Sequence, residues 1–536
     1  MPRSAIHIVW FKRDLRVEDN AALNDAAMSC GDTAAVLPLY IIEPELWAQP
    51  DYSARQFEFL RECLTDLRTR LDECGQPLIV RLGEIEAVLD QFARDFEIAG
   101  LWSHQETGNA WTFARDRRVE DWCRLQGVDW HQPLQHGVFR ALGNRNGWAK
   151  RWDKMMAAPV EATPSLKPLE GIDPGVIPNS HDLELANDPC PHRQTGGRDQ
   201  AKHLLHSFLF ERGEGYQKAM SSPVTAYDAC SRLSPHFAFG TLSMREAVQA
   251  AWARQDELAG LTRGEKGKWP GALNSFIGRL HWHCHFMQKL ESEPKLEFEN
   301  LHPAYDGLRE GSFNQGHFDA YQRAQTGFPF VDACLRALAA HGWINFRMRA
   351  MLMAFSSYHL WLHWREPSVF LARRFTDFEP GIHYAQSQMQ SGTTGINTPR
   401  IYNPVKQGHD HDPDGDFIRR WVPELAGLAG RDLHEPWRAD PMTLHGANVR
   451  LGDTYPNRLV DHEQAARDAR QAIWGVRRGR AYRDAADDIQ AQHGSRKSGI
   501  RHRGAKSSTM SRHQKSCHQK NRNQASAALG EQAELL

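Results

Sequence analysis

The sequence predicts an α/β N-terminal domain with a parallel, Rossmann-like sheet, followed by a large all-α domain. Three observations carry this. Short apolar runs alternate with helix-period segments before Trp130, a proline-punctuated stretch follows, and beyond it the helical period persists almost to residue 488. At 536 residues the chain is too long for one core. The expected divisions are 1–155 (α/β), 156–198 (connector), 199–485 (all-α) and 486–536 (basic tail).

The strands are expected at 6–11, 35–42, 78–82 and 98–102, each a short apolar run suited to burial. Between the second and third, Phe57, Leu60, Leu64, Leu67 and Leu71 recur at spacings of three and four, with Asp51 or Ser53 as cap. Strands separated by such helices run parallel through right-handed crossovers. Seven prolines from Pro159 to Pro191 remove all periodicity, which predicts an extended connector. Helices are expected at 201–210, 244–253, 272–290, 330–340 and 344–364. The tail, rich in Ser, Gln, Asn, His and Arg, has too few apolar residues to offset chain entropy and is expected to be disordered.

Composition excludes several classes. No apolar run of about 18 residues occurs, so no spanning helix is expected, and Lys12, Arg13 and Arg16 follow the first apolar run instead of preceding it, unlike a signal peptide. The nine cysteines include no C-x-x-C pair, which favours a reducing, cytoplasmic setting and no metal. Nine Lys/Arg and no Asp/Glu fall within 489–530, so the rest of a chain of net charge −1 is acidic by ten. Nucleic-acid contact in the body must come from a local patch. No G-x-G-x-x-G follows a strand, which argues against a nicotinamide dehydrogenase. Asp410, Asp412, Asp414 and Gly415 do not make a calcium loop, because its twelfth position is Trp421.

Three strings carry the chemistry. The first is Val9-Trp10-Phe11-Lys12-Arg13-Asp14-Leu15-Arg16-Val17-Glu18-Asp19-Asn20. The second runs Thr326-Gly327-Phe328-Pro329-Phe330-Val331-Asp332-Ala333, then Arg336, then Gly342-Trp343-Ile344-Asn345-Phe346-Arg347-Met348-Arg349. The third is Arg400-Ile401-Tyr402-Asn403-Pro404 with Phe417-Ile418-Arg419-Arg420-Trp421-Val422-Pro423-Glu424-Leu425. In this order they resemble the photolyase/cryptochrome family over roughly residues 5–474.

The resemblance implies FAD in the helical domain. It places Tyr216 and the run Ser231-Arg232-Leu233-Ser234 at the flavin diphosphate, with Cys230 where a threonine is usual, and pairs Arg349 with Asp377. It places Trp282 where a flipped pyrimidine stacks, and Arg347 and Arg400, with Arg419 and Arg420, at DNA phosphates. The sequence also departs from the family. Arg279 stands for the cavity glutamate and His283 for its neighbouring arginine. His281 and His285 share a helix face, a spacing open to a metal, a proton-donor or a merely polar role. The asparagine usual at flavin N5 aligns with Gly381, and the inner tryptophan of the photoreduction chain with Ala385. Of that chain only Trp364 has a clear counterpart, while Trp361, Tyr384 and Trp421 are alternatives. Folate-binding members carry Asn-Glu where this chain reads Trp111-Thr112, so the antenna chromophore stays unknown. The expected function is blue-light-driven splitting of pyrimidine dimers by an FAD-dependent DNA photolyase, monomeric and acting on UV-damaged single- or double-stranded DNA. The rivals are a cryptochrome-like photoreceptor without repair and a nonphotochemical flavin oxidoreductase.

Overall fold

The computed structural model of the protein describes residues 3–494, the side chains of 487, 488 and 491 excepted. Five strands, β1 (Ala5–Phe11), β2 (Ala34–Ile42), β3 (Ile79–Leu82), β4 (Glu97–Trp102) and β5 (Trp130–His131), form one parallel sheet in the order β3-β2-β1-β4-β5. Helices α1 (Ala21–Ser29), α2 (Ala54–Glu73), α3 (Ile85–Asp95) and α4 (Ala110–Gln126) connect them. Both sheet faces are covered, and so β2 is buried at every position. Alternate residues serve the two faces. Ile6, Ile8, Trp10, Leu37, Leu39 and Ile41 pack on α3 and α4 with Ile85, Leu89, Val119 and Trp122. Val9, Phe11, Val36 and Tyr40 face the Phe57, Leu60, Leu64 and Leu67 stripe of α2, in a core that continues into the helical region. Ser53 is the N-cap of α2, and its backbone N–H donates to Gln56 Oε1 at 3.1 Å.

The charged string after β1 joins the two regions. Arg13 donates to Ala238 O and Phe378 O, each at 2.7 Å, and pairs with Glu379 at 3.2 Å. Arg16 donates to Gly240 O at 3.0 Å, and Asp14 holds His104 Nδ1 at 2.6 Å. At the start of α2, the fully enclosed Arg55 grips Asp188 through two 2.6 Å bonds and donates to Ala339 O and Arg374 O. Gln56 adds bonds to Ala372 O and Phe375 O.

After α5 (Trp148–Met156) no helix or strand intervenes before α6 (Arg198–Ser207). Backbone bonds from Leu166 N to Cys74 O and from His192 N to Ala340 O pin this stretch to both regions. The helical region is built on α7 (Met244–Ala259), α8 (Trp269–Ser292), α9 (Pro329–His341), α10 (Phe346–Ala354), α11 (Pro380–Ser391), α12 (His462–Arg478) and α13 (Arg480–His493). α8 and α11 cross where Gly381 meets Met287, and a Cβ added at Gly381 would lie 2.7 Å from Met287 Cα. This close approach explains why glycine occupies that position.

One boundary needs correction. The expected tail from 486 begins as helix, because α13 runs to His493. Its ring system is anchored: Tyr482 stacks on His302 at 4.5 Å, Gln492 donates to Ser292 O, and His493 is buried. The remainder of the expected tail lies outside the described residues.

Candidate functional site

A cleft in the helical region spans about 1670 Å³, open solvent at its mouth included. Tyr216 and the loop Ser231-Arg232-Leu233-Ser234 form one wall, and Arg279, Trp282 and His283 of α8 a second. Arg347 and Arg349 of α10 form a third, with Asp377 beside the start of α11. All eleven were named from the sequence. Trp364 and Arg400 were also named but do not border the cleft. Trp364 is wholly buried, and its indole N–H donates to Asn300 Oδ1 at 2.9 Å.

Arg349 meets Asp377 as a two-pronged pair, Nη1–Oδ1 3.0 Å and Nη2–Oδ2 2.7 Å. Its Nε donates to Ile344 O at 2.7 Å, and the guanidinium lies 4.0 Å from the Phe375 ring centre. A planar fork held at three points cannot rotate away, so the pair is a rigid feature of the wall.

In the 231–234 loop the Arg232 guanidinium is taken up by protein groups. It donates to Gln194 Oε1 at 2.8 and 3.1 Å and lies between the Tyr227 and Trp343 rings, 3.8 and 4.1 Å away. Its backbone is left-handed (φ 61°), a strained conformation for a non-glycine residue. The loop is held from behind by Arg212, which donates to Asp228 O at 2.8 Å, Ser231 O at 2.9 Å and also Cys230 O. A π-helical turn at Phe208–Arg212 aims this side chain. Sequence reasoning missed Arg212 because its partners are backbone carbonyls 16 to 19 residues away. Burial pushes the Cys230 thiol up to about 12, so it is neutral.

On α8, Arg279 forms no ion pair among the described residues and approaches Met220 Sδ at 3.8 Å and the Phe346 ring at 5.9 Å. Burial holds His283 at about 4, so at neutral pH it is an uncharged imidazole, not an imidazolium proton donor. His281 turns away from the cleft onto Trp148 and Trp152, 4.8 and 5.0 Å between ring centres. Among the described residues no group of three His, Cys, Asp or Glu could hold a metal ion. Trp282 is braced by Phe286 and His285, at 5.7 and 4.9 Å.

Comparisons with known proteins bear on this geometry. Residues 7–145 match the DNA photolyase family model, and residues 276–475 match the FAD binding domain of DNA photolyase. The deoxyribodipyrimidine photo-lyase of Escherichia coli is 30% identical over 88% of this chain and 99% of its own length. The chain belongs to the photolyase/cryptochrome family. A cryptochrome DASH of Gloeobacter violaceus is 28% identical over 88% of this chain and 95% of its own. The crystal structure of a bacterial class III photolyase from Agrobacterium tumefaciens superposes with a TM-score of 0.74 at 26% identity, covering 89% of this chain and 99% of that one.

The helical region is thus the FAD-binding domain of a photolyase/cryptochrome protein, and its residues fit that cofactor. Five buried polar atoms of residues lining the cleft lack any protein partner: Asn345 Oδ1, His283 Nδ1, Gln386 Nε2, Arg347 Nε and Glu379 Oε1. Asn345 is fixed by two 3.0 Å bonds from Nδ2 to Met220 O and Ser221 O. Unmet polar atoms beside an unpaired arginine suit a ligand with both polar edges and negative charge. The sequence string around Trp343 contained Asn345, but nothing in it distinguished a wall residue from a helix cap.

A crevice beside the carboxyl ends of β1 and β2 is crossed by charges. Arg115 pairs with Glu43 (3.0 Å), Glu106 (2.6 Å) and Asp116 (2.8 Å), over the Trp10 ring at 4.7 Å. Phe378 borders both this crevice and the flavin cleft. No helix among the described residues is long and apolar enough to cross a membrane.

Proposed function

We propose that the protein is a blue-light-driven, FAD-dependent DNA photolyase that splits UV-induced pyrimidine dimers. The observation that carries this is one cleft combining a flavin-fitting wall with an open side bearing Trp282, Arg279 and Arg347. FAD, when bound in its reduced form and excited, supplies the single electron that opens the dimer. The chain's own residues bind and orient. Tyr216, Ser231 and Ser234 with the backbone of Arg232 and Leu233 hold the cofactor's phosphates, and the Arg349–Asp377 fork fixes its ring. Trp282 gives an extruded base a flat apolar surface, a contact worth about 1–3 kcal/mol. Arg347 and Arg400 position the strand through phosphates without reading sequence. His283 offers its unpartnered Nδ1 as a neutral hydrogen-bonding group. Trp364, wholly buried, serves electron supply and not substrate contact.

In this reading the chain works as a cytoplasmic monomer on single- or double-stranded damaged DNA, with functional divisions at 1–155, 156–198 and 199–485. Arg279 in place of the family's glutamate favours a second reading, a cryptochrome-like photoreceptor with the same flavin site. The test is blue illumination of the purified holoprotein with cyclobutane-dimer and (6-4) DNA in parallel. Catalytic loss of either lesion supports repair. Flavin photoreduction with both lesions intact selects the photoreceptor.

A further inference from the structure

A second site lies outside the flavin cleft, where the Arg145 loop before α5, the last turns of α8 and the end of α13 meet. Arg145, His285, Lys289 and His493 are there 7%, 6%, 4% and 1% exposed. They repel one another, and no carboxylate among the described side chains pairs with any of them. Arg145 donates once, from Nη2 to His285 O at 3.3 Å, and its buried Nε and Nη1 have no acceptor. Lys289 rests on the Phe286 ring, 5.0 Å away. His281 stands nearby against Trp148.

Three other enclosed guanidinium groups are neutralised by acids, while Arg16 and Arg309 are met by backbone carbonyls. Arg55 has Asp188, Arg198 has Glu246 and Glu18, and Arg115 has three acids. A guanidinium cannot shed its proton, and an uncompensated buried ion costs several kcal/mol. Burial and mutual repulsion lower Lys289 to about 7, which relieves the ammonium but leaves Arg145 without an acid among the described side chains. A fork with two free N–H groups among further buried basic groups suits a multi-oxygen anion.

We propose that this cluster binds a small free oxyanion of the phosphate class, which ties the end of α13 to the back of α8. The four side chains are almost wholly enclosed, so a DNA strand has no room to supply the phosphate. Since His285 braces Trp282 at 4.9 Å, the anion also steadies the wall on which Trp282 stands.

The test is thermal melting of the full-length holoprotein in rising inorganic phosphate at constant ionic strength, with chloride and an undamaged oligonucleotide as parallel arms. The melting temperature should rise with the logarithm of phosphate concentration and not with chloride. Lys289→Met and Arg145→Gln should each weaken the apparent phosphate affinity at least tenfold. Without phosphate, Lys289→Met should melt no lower than the parent, because it removes one of several like charges. An absent phosphate-specific rise, an unchanged response in both variants, or a rise produced by the oligonucleotide alone would each overturn the proposal.

Discussion

The Arg349–Asp377 fork gives a prediction with a workable magnitude. Replacing Arg349 by methionine strands Asp377, whose side chain is 3% exposed, as a lone buried carboxylate. Breaking a buried pair from one side costs about 3–5 kcal/mol. The Arg349 side chain is itself 25% exposed, so water reaches the vacated space and the lower end, about 3 kcal/mol, applies. Asp377→Asn leaves an arginine that still bonds Ile344 O and can reach water, so about 1–2 kcal/mol is expected. The double variant carries no stranded charge and should lose only about 2 kcal/mol, a coupling of roughly 2–3 kcal/mol. Urea unfolding of the flavin-free protein at pH 7, for parent, both singles and the double, measures all four corners. Strict additivity would refute the claim that the two groups act as one unit.

Trp282→Ala should weaken binding of damaged DNA by about 5- to 150-fold, the equivalent of one lost base stack, with flavin content unchanged; equal affinity by gel shift would remove Trp282 from the lesion site. Gly381→Ala separates two opposing effects: helix propensity favours alanine by about 1 kcal/mol, while the 2.7 Å clash with Met287 Cα costs about 1–3 kcal/mol as overpacking, so a net loss in urea melts is expected and a gain would show that α8 and α11 yield freely. Stability should fall on acidification from pH 6.5 towards 4.5. His236, His283, His341, His359, His383, His434 and His493 are held by burial near 3 or 4 and so take up protons mainly on unfolding, at up to about 1.4 kcal/mol per pH unit each. Glu43, Glu297 and Glu379, raised to about 7, release protons on unfolding over the same range and oppose this, but three do not outweigh seven; a urea midpoint that rises on acidification would contradict the count.

Strands β1 to β4 were legible to within a residue, because a parallel sheet covered on both faces demands unbroken apolar runs such as Ala34–Ile42. β5 is two residues long and carries no pattern. The helix α2 was legible through its Leu stripe, whereas the end of α13 beyond residue 488 was not, because it is held there by single contacts such as that from Gln492. Arg347 and Arg349 were found within the second string, and the other cleft residues by the positions the family resemblance implied. What neither could reveal was direction: Arg232 faces Gln194 and two rings, and His281 faces two tryptophans. Residues that meet only in three dimensions left no trace at all, as with Arg145, Lys289 and His493.

The grip of Arg13, Arg55 and Gln56 on carbonyls of the helical region has a consequence for how this architecture can evolve. Deleting the sheet would strip partners from Ala238, Ala339, Ala372, Arg374, Phe375 and Phe378 at one stroke and bare the apolar seam beneath α2. The amino-terminal third is therefore a foundation on which the pigment-bearing part rests. Arg13 and Gln56 also line the crevice beside β1 and β2, so the walls of that crevice are tied down by the same masonry.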